Sequence, residues 1–466
     1  MKNEILKYII VGCTIIFVTA GSVNAQQTNA FSVQQAVDYA LKNSPQVKNA
    51  LLDIQIQRET NKEITAAAFP QIHGNVNVNK FPNVAVQTFP NFIAAGTYGV
   101  LMQEGVKNGN GTPVQIPANF GIIEAQFGSK YTAAAGVDLD QLLFDGQVFV
   151  GIMARKASIE FATKTAEVTD EQIKANVYKI YYQLVVGRKQ IESIDANILR
   201  FEKLLSDTRE IYKNGFAEKL DVDKVEVQLN NLKTEKLKAE NQIEAGIAGL
   251  KFLLSMPKKD QLILTDTLSE QELKENILDE KYNYGDRKEY QQLSLLEKLN
   301  GFNIKRYKLS KIPTLALSGN YSKNAQRQKF DFFQGRYFTS SFIGLRLNVP
   351  IFDGGARNAR IETARLNFQK NRNNIEQLKL SIDNDVEQSR IRMKSALSTM
   401  DMQKQNIILA ERVYNTTKLK YEQGLGSNQE IYTAQTELKV AQNNYYSSLY
   451  DAINAKIDYL KAAGKL

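Results

Sequence analysis

Leu143-Phe144-Asp145-Gly146-Gln147 and Ile351-Phe352-Asp353-Gly354-Gly355 decide the fold of this chain. Each opens a long segment of helical periodicity, the first running to Tyr212-Lys213-Asn214-Gly215 and the second to Tyr421-Glu422-Gln423-Gly424. Phe144 and Gly215 lie 71 residues apart, and Phe352 and Gly424 lie 72 apart, so one helical design occurs twice with its length held to within one position. At about 1.5 Å per residue each helix is expected to be on the order of 100 Å long, a length that suits spanning a distance better than enclosing a pocket.

Working outward, the parts around each junction come in the same order. A helical stretch rises to a proline, in Ala68-Phe69-Pro70-Gln71-Ile72 and again in Lys311-Ile312-Pro313-Thr314-Leu315. Proline ends the helical hydrogen-bond pattern and drives the preceding residue toward extended geometry, so strands are expected next. Period-two alternation supports them. Ile72, Gly74, Val76 and Val78 fall on one face, with Gln71, His73, Asn75, Asn77 and Asn79 on the other. Ile343, Leu345, Leu347, Val349 and Ile351 oppose Gly344, Arg346 and Asn348, while Leu315 and Leu317 oppose Thr314, Ser318 and Asn320. A weaker fourth segment, 130–144, sets Ala135, Val137 and Leu139 against Gly136, Asp138 and Asp140. Segments of about 10 residues, apolar on one face and polar on the other, fit either a soluble sheet with one wet face or a transmembrane β-barrel. Four strands cannot close a barrel, and lipid does not tolerate open edges, so membrane strands would have to be pooled between chains; three chains would supply twelve.

The helices carry coiled-coil heptads. Ile173, Val177, Ile180, Leu184, Gly187, Ile191, Ile194, Ile198, Phe201 and Leu205 advance by alternating steps of four and three. Val222, Val225, Leu229 and Leu232 continue the seam on the returning helix, as Ile431, Ala434, Leu438 and Ala441 do in the second half. Val386, Met393, Met400, Ile407, Tyr414 and Tyr421 recur every seventh residue. The expected fold is therefore mainly α with transmembrane β: long antiparallel helical hairpins, plus four strands per chain given to a shared barrel, in an internal two-fold repeat.

Residues 1–25 read as a secretory signal, with Lys2 and Lys7 before an apolar run and Val23-Asn24-Ala25 as a small-residue cleavage site. Ile10-Val11-Gly12-Cys13 leaves open an acylated Cys13, the only cysteine. The first repeat is expected over 26–255, with a strand pair at 71–144, a long loop at 80–129 and a helical hairpin at 145–255. A linker over 256–290 leads to the second repeat, 291–466, with its strand pair at 314–352 and hairpin at 353–463. Among 466 residues there are only 9 Pro and no Trp, and the net charge of +9 comes from basic and acidic residues interleaved along the helices. That pattern describes solvated helix surfaces, and with export it argues against a nucleic-acid partner.

Signal, paired proline and strand units, Phe-Asp-Gly junctions and Tyr-x-x-Gly turns together resemble the TolC family of outer membrane efflux proteins over essentially the whole mature chain. The resemblance implies a homotrimer in outer membrane lipid, with a twelve-stranded barrel continuing into a helical tube across the periplasm. It also implies a periplasmic adaptor protein docked at the hairpin ends and an inner-membrane pump of RND, ABC or similar type. In this sequence those ends are Gly215 and Phe216, and Gly424 and Leu425. The better-known members carry an acidic pair six and nine positions after the turn glycine, at the closed entrance. Glu430 matches the first position but Thr433 takes the second, and the first repeat has Asp221 and Lys224 there. Three copies of Glu430 would place a carboxylate ring at a narrow mouth, favouring cations. The alternative for Glu430 is a solvated acid at a helix start, favoured by the dipole.

No catalytic constellation, metal set or cofactor motif emerges. The single histidine, His73, falls on the polar strand face, and pairs such as Asp221 and Asp223 lack supporting ligands. The function expected is a passive exit duct powered by a separate pump. A periplasmic structural or adhesive coiled-coil protein without channel activity is the alternative, and an exported hydrolase has no residue to carry it.

Overall fold

A computed structural model describes residues 28–267, 270–274 and 281–466, the side chain of Glu272 excepted. The expected signal at 1–25, with Cys13, lies outside the described residues, as does part of the expected linker. Along the chain run β1 (Thr28–Phe31), α1 (Val33–Asn43), α2 (Pro45–Ala66), β2 (Gln71–Lys80), β3 (Val86–Pro90), α3 (Phe92–Gln103), β4 (Ile122–Gln126) and β5 (Tyr131–Phe144). There follow α4 (Gly146–Lys213), α5 (Lys219–Leu254), β6 (Gln261–Leu264), α6 (Glu270–Lys274), a 3-10 turn at Tyr284–Asp286 and α7 (Lys288–Leu309). The chain ends with β7 (Thr314–Arg327), β8 (Phe338–Asn348), α8 (Ala356–Glu422) and α9 (Asn428–Ala462). α4 has 68 residues and α8 has 67, the near-equality expected from the two Phe-to-Gly spacings. Two compact units form, one from the described residues up to Glu59 with Lys156–Gly301 and Arg365–Leu466, the other from Thr60–Arg155 and Phe302–Ala364.

The second of these units is built on a four-stranded sheet in the order β2-β5-β7-β8. Every pairing is antiparallel, so the two edge strands β2 and β8 run in opposite directions. The expected alternation is preserved across the register. His73 stands opposite Asp138 and Asp138 opposite Asn320, while Val76 stands opposite Ala135 and Ala135 opposite Lys323. A bulge between Leu142 and Phe144 shifts the register at the end of β5, next to the start of α4. The insertion expected as loop 80–129 carries structure of its own. β3 and β4 pair as an antiparallel hairpin, and α3 sits between them, its start capped by Asn91, whose Oδ1 accepts from the Ala94 N–H at 3.0 Å. α3 is apolar around its whole circumference, so no 3.6-residue periodicity betrays it in a sequence otherwise rich in Gly, Asn and Pro.

The other unit is helical, and its core follows the heptads. Of the α4 seam, Ile173, Val177, Leu184, Ile194, Ile198, Phe201 and Leu205 are buried, as are Val386, Met393, Met400 and Tyr414 on α8. Gly187 holds its seam position for a steric reason: a Cβ there would stand 2.5 Å from Ile243 Cδ1, so its absence lets α4 and α5 approach closely. A polar layer interrupts the seam. Gln442 Oε1 accepts from Ser193 Oγ at 2.9 Å and from Asn197 Nδ2 at 2.7 Å, satisfying buried groups that would otherwise lack partners.

Short elements strap this unit. β1 pairs in parallel with β6, and Ala36, Val37 and Ala40 of α1 pack on Val177, Tyr181 and Leu254. The Tyr181 hydroxyl donates to the Phe31 carbonyl at 2.8 Å and accepts from the Asp266 N–H at 3.1 Å. The stretch expected as a linker is therefore partly a β partner. Beyond it, Tyr282 and Tyr284 both donate to Asp383 Oδ1 of α8, at 2.7 and 2.8 Å. The bond to the Asp383 carboxylate, helped by loss of solvent, pushes the Tyr282 hydroxyl up to about 12.

Because the folded state holds the Tyr282 proton more tightly than the unfolded chain, the stabilisation is fully present below the ordinary tyrosine value of about 10 and is lost as pH rises toward about 12. Thermal midpoints should therefore fall between about pH 9 and about pH 11.5, and Tyr282→Phe should flatten that fall. An identical pH slope for both proteins would rule the clamp out as its source.

Candidate functional site

The two faces of the sheet differ in kind. On one lie Ile72, Val76, Val78, Val137, Tyr321, Ile343, Leu345 and Leu347, all exposed. No charged residue interrupts this face from the rung of Gly74, Val137, Tyr321 and Ser341 to that of Leu315 and Leu347; Lys80 and Arg327 stand at the other end, and Lys323 two rungs in, beside Ala135. Lys80 Nζ there lies 5.9 Å from the centre of the Tyr131 ring, a cation and an aromatic side by side as at a membrane interface. At the other end the Phe-Asp-Gly junctions supply aromatic groups. Phe144 and Phe149 pack with ring centres 5.7 Å apart, and Phe352 is 89% exposed. A strand of about ten residues, tilted, covers an apolar band roughly 25 Å tall, and aromatic groups at both ends mark its limits.

The opposite face is polar and knitted across strands. Asp138 accepts from Asn75 Nδ2 through Oδ2 and from Asn320 Nδ2 through Oδ1, the latter at 2.7 Å, so one carboxylate joins β2, β5 and β7. His73 lies on this face, opposite Asp138 in the register. The pattern could be read as polar from the sequence, but the three-strand bridge depends on register.

At the hairpin ends, both Tyr-x-x-Gly turns are the same helix stop. Gly215 N–H donates to the Tyr212 carbonyl at 2.9 Å and Phe216 N–H to the Ile211 carbonyl at 3.0 Å. Gly424 and Leu425 repeat this with Tyr421 at 3.0 Å and Lys420 at 2.9 Å. These are Schellman caps, and they need glycine because φ is +81° at Gly215 and +73° at Gly424. The residue after each cap commonly tucks against its own helix. Here Phe216 is 85% exposed and Leu425 is 77% exposed, so both point apolar groups outward.

The remaining residues singled out from the sequence occupy the first turns of the returning helices. Ser427 Oγ accepts from the Glu430 N–H at 3.1 Å, leaving the Glu430 side chain exposed, and Thr433 Oγ1 donates to the Gln429 carbonyl at 2.9 Å. Asp221 Oδ2 accepts from the Glu218 N–H at 3.3 Å, and Lys224 is exposed. Each pair, Glu430 with Thr433 and Asp221 with Lys224, is three residues apart and shares a helix face. Among the described residues no hydrogen bond or ion pair joins one pair to the other. What does join the two hairpins is packing. Phe201, Leu205 and Val225 cluster with Tyr414, Ile431 and Leu438, and Thr208 Oγ1 donates to Asn428 Oδ1 at 3.3 Å.

A family model described as "Outer membrane efflux protein" matches residues 304–465, which contain β7, β8 and the second hairpin. Over these residues the chain is similar to the outer membrane efflux proteins. It is 20% identical over 344 residues to the outer membrane protein TolC of Vibrio cholerae, covering 72% of this chain and 77% of that protein. It is also 20% identical to the alkaline protease secretion protein AprF of Pseudomonas aeruginosa, covering 71% and 68%. Among solved structures, the outer membrane protein VceC of Vibrio cholerae superposes with a TM-score of 0.69 at 14% identity, covering 93% of this chain and 96% of that one. The Campylobacter jejuni CmeC outer membrane channel gives 0.70 at 16% identity, covering 93% and 85%. These relatives and neighbours are described as outer membrane proteins, a secretion protein and an outer membrane channel.

The caps generate a stability prediction. Gly424→Ala forces a side chain into left-handed backbone and should cost about 1 kcal/mol or more, lowering the thermal midpoint. Phe216→Ser, at an exposed position, should leave that midpoint unchanged. A midpoint for Gly424→Ala equal to the parent's would contradict the strained-cap reading.

Proposed function

We propose that this chain is the outer membrane exit duct of a tripartite efflux or secretion system, assembled as a homotrimer. The observation that carries this reading is the sheet: one face apolar, exposed and free of charge from Gly74 to the Phe-Asp-Gly end, and two unpaired edges running in opposite directions. A neighbour's β2 can pair antiparallel with β8, so copies of the sheet close on themselves with every pairing of the same kind. Three copies give twelve strands, enough to leave an aqueous interior lined by the Asn and Asp face, where eight strands would be filled by side chains. The long hairpins serve as the periplasmic part of the duct.

Within this reading the protein is passive, and a periplasmic adaptor couples it to an inner-membrane pump. Phe216 and Leu425, apolar and exposed at equivalent caps, are the contacts an adaptor would cover, with Gly215 and Gly424 setting their direction. Glu430 and Thr433, with Asp221 and Lys224, line the entrance. Three Glu430 carboxylates around one axis favour cations over anions.

Two measurements test these points. Light scattering of detergent-extracted outer membrane protein, with the detergent contribution subtracted, should give three times the mature chain's mass. A soluble monomer that needs no detergent would instead support the coiled-coil scaffold. In planar bilayers under a potassium chloride gradient, Glu430→Gln should move the reversal potential toward zero, whereas Thr433→Ala should not. An unchanged reversal potential in Glu430→Gln would remove that carboxylate from the entrance.

A further inference from the structure

Two aromatic rings interrupt the polar face of the sheet. Phe338 stands opposite Asn324 and Phe342 opposite Asn320 in the β7–β8 register. Cross-strand partners share a face, so both rings lie on the side of the Asn75, Asp138 and Asn320 bridge, away from the apolar face that carries Ile343 and Leu345. Phe338 is 61% exposed and Phe342 is 55% exposed, with Ser340 between them on the same face. Their nearest neighbours across the strand are amides, which do not cover them.

Resting on the trimeric duct proposed above, the next chain also leaves them open. β8 is an edge strand, and the strand that closes the barrel against it is the neighbour's β2. On the matching face β2 presents Gln71, His73, Asn75, Asn77 and Asn79, none of them apolar. Neither β7 nor the neighbour's β2 therefore offers apolar cover on this face. In the proposed barrel that side of the wall faces water and whatever passes through. Twelve strands about 4.8 Å apart, tilted by about 40°, enclose a barrel roughly 24 Å across between backbones. Rings projecting from three sides occupy a large part of that width.

We infer that Phe338 and Phe342 form an aromatic collar in the barrel lumen that contacts planar aromatic cargo in transit. Three copies supply six rings in two tiers, separated by four residues or about 13 Å along the strand. Both tiers lie in the half of β8 nearest the 328–337 turn, which itself carries Phe330, Phe332, Phe333 and Tyr337. A planar molecule gains stacking and apolar contact at each tier, and a positive charge on it gains a further cation–π attraction. The collar thus favours small aromatic molecules, cations above all, over polar solutes of the same size.

The chain contains no tryptophan, so one introduced residue is a unique fluorophore. Trimer purified in detergent and carrying Phe342→Trp is titrated with ethidium, a planar aromatic cation, with choline as the non-aromatic control. Saturable quenching by ethidium is expected, and Phe338→Ser added to the same protein should weaken apparent affinity about tenfold. Ile343→Trp, on the opposite face, should show only linear quenching from dye in the detergent. Quenching of the Phe342→Trp trimer that is linear, or that Phe338→Ser leaves unchanged, overturns the collar. Light scattering on the same sample separates the two levels: a non-trimeric mass sinks the duct, whereas a trimer without saturable quenching sinks the collar alone.

Discussion

Backbone groups in lipid must be hydrogen-bonded within the protein, because no water is present to satisfy them. That constraint governs the sheet of this chain. Its apolar face is suited to lipid, yet β2 and β8 each leave a row of unpaired N–H and C=O groups, and a single sheet with two such edges is not tolerated there. Antiparallel order with oppositely directed edges is the arrangement that lets identical copies repair the defect in one another. Membrane insertion and self-association are then a single requirement. In the closed assembly proposed above the polar face lines the interior, and a bridge such as Asn75, Asp138 and Asn320 becomes part of the channel wall.

The helical unit solves a different problem. A hairpin with one apolar stripe is marginal alone, and each hairpin here buries its stripe against the other: Phe201 and Leu205 meet Tyr414, Ile431 and Leu438. The seam is not uniformly apolar. Ser193, Asn197 and Gln442 form a buried polar layer, a device that penalises slipped registers because slippage strands amide groups. Arg200 adds its guanidinium over the Tyr414 ring at 5.6 Å. Short straps complete the unit through pairing of β1 with β6 and through the two tyrosines on Asp383.

Much of this was legible in advance, for identifiable reasons. Heptad steps from Ile173 to Leu205 report burial directly, since a 3.5-residue period leaves one seam to cover. Period-two alternation in Gln71 to Asn79 reports two faces in the same way. The tips were marked by Tyr-x-x-Gly because left-handed backbone after a helix selects glycine. Other features lacked a local signal. α3 has no polar side to set its period, β1 and β6 are four residues each, and Phe338 and Phe342 break the alternation that would have extended β8 to its full length. The roles of Glu430, Thr433, Asp221 and Lys224 were drawn from resemblance, and their local geometry is that of residues in the first turns of two equivalent helices.

By itself the sequence determined the long elements: the heptad helices, the alternating strands, their proline and glycine stops, and which side of each is apolar, because those properties follow from period, proline and glycine. Tertiary structure decided adjacency. Strand order, the pairing of Asp138 with both Asn75 and Asn320, the face on which Phe338 and Phe342 stand, and the meeting of one hairpin's Phe201 with the other's Leu438 all join residues far apart in the chain. Alternation names two faces without saying which strand lies beside which. Only the register of packed backbones, set by hydrogen bonding and by close-packed side chains, settles that choice.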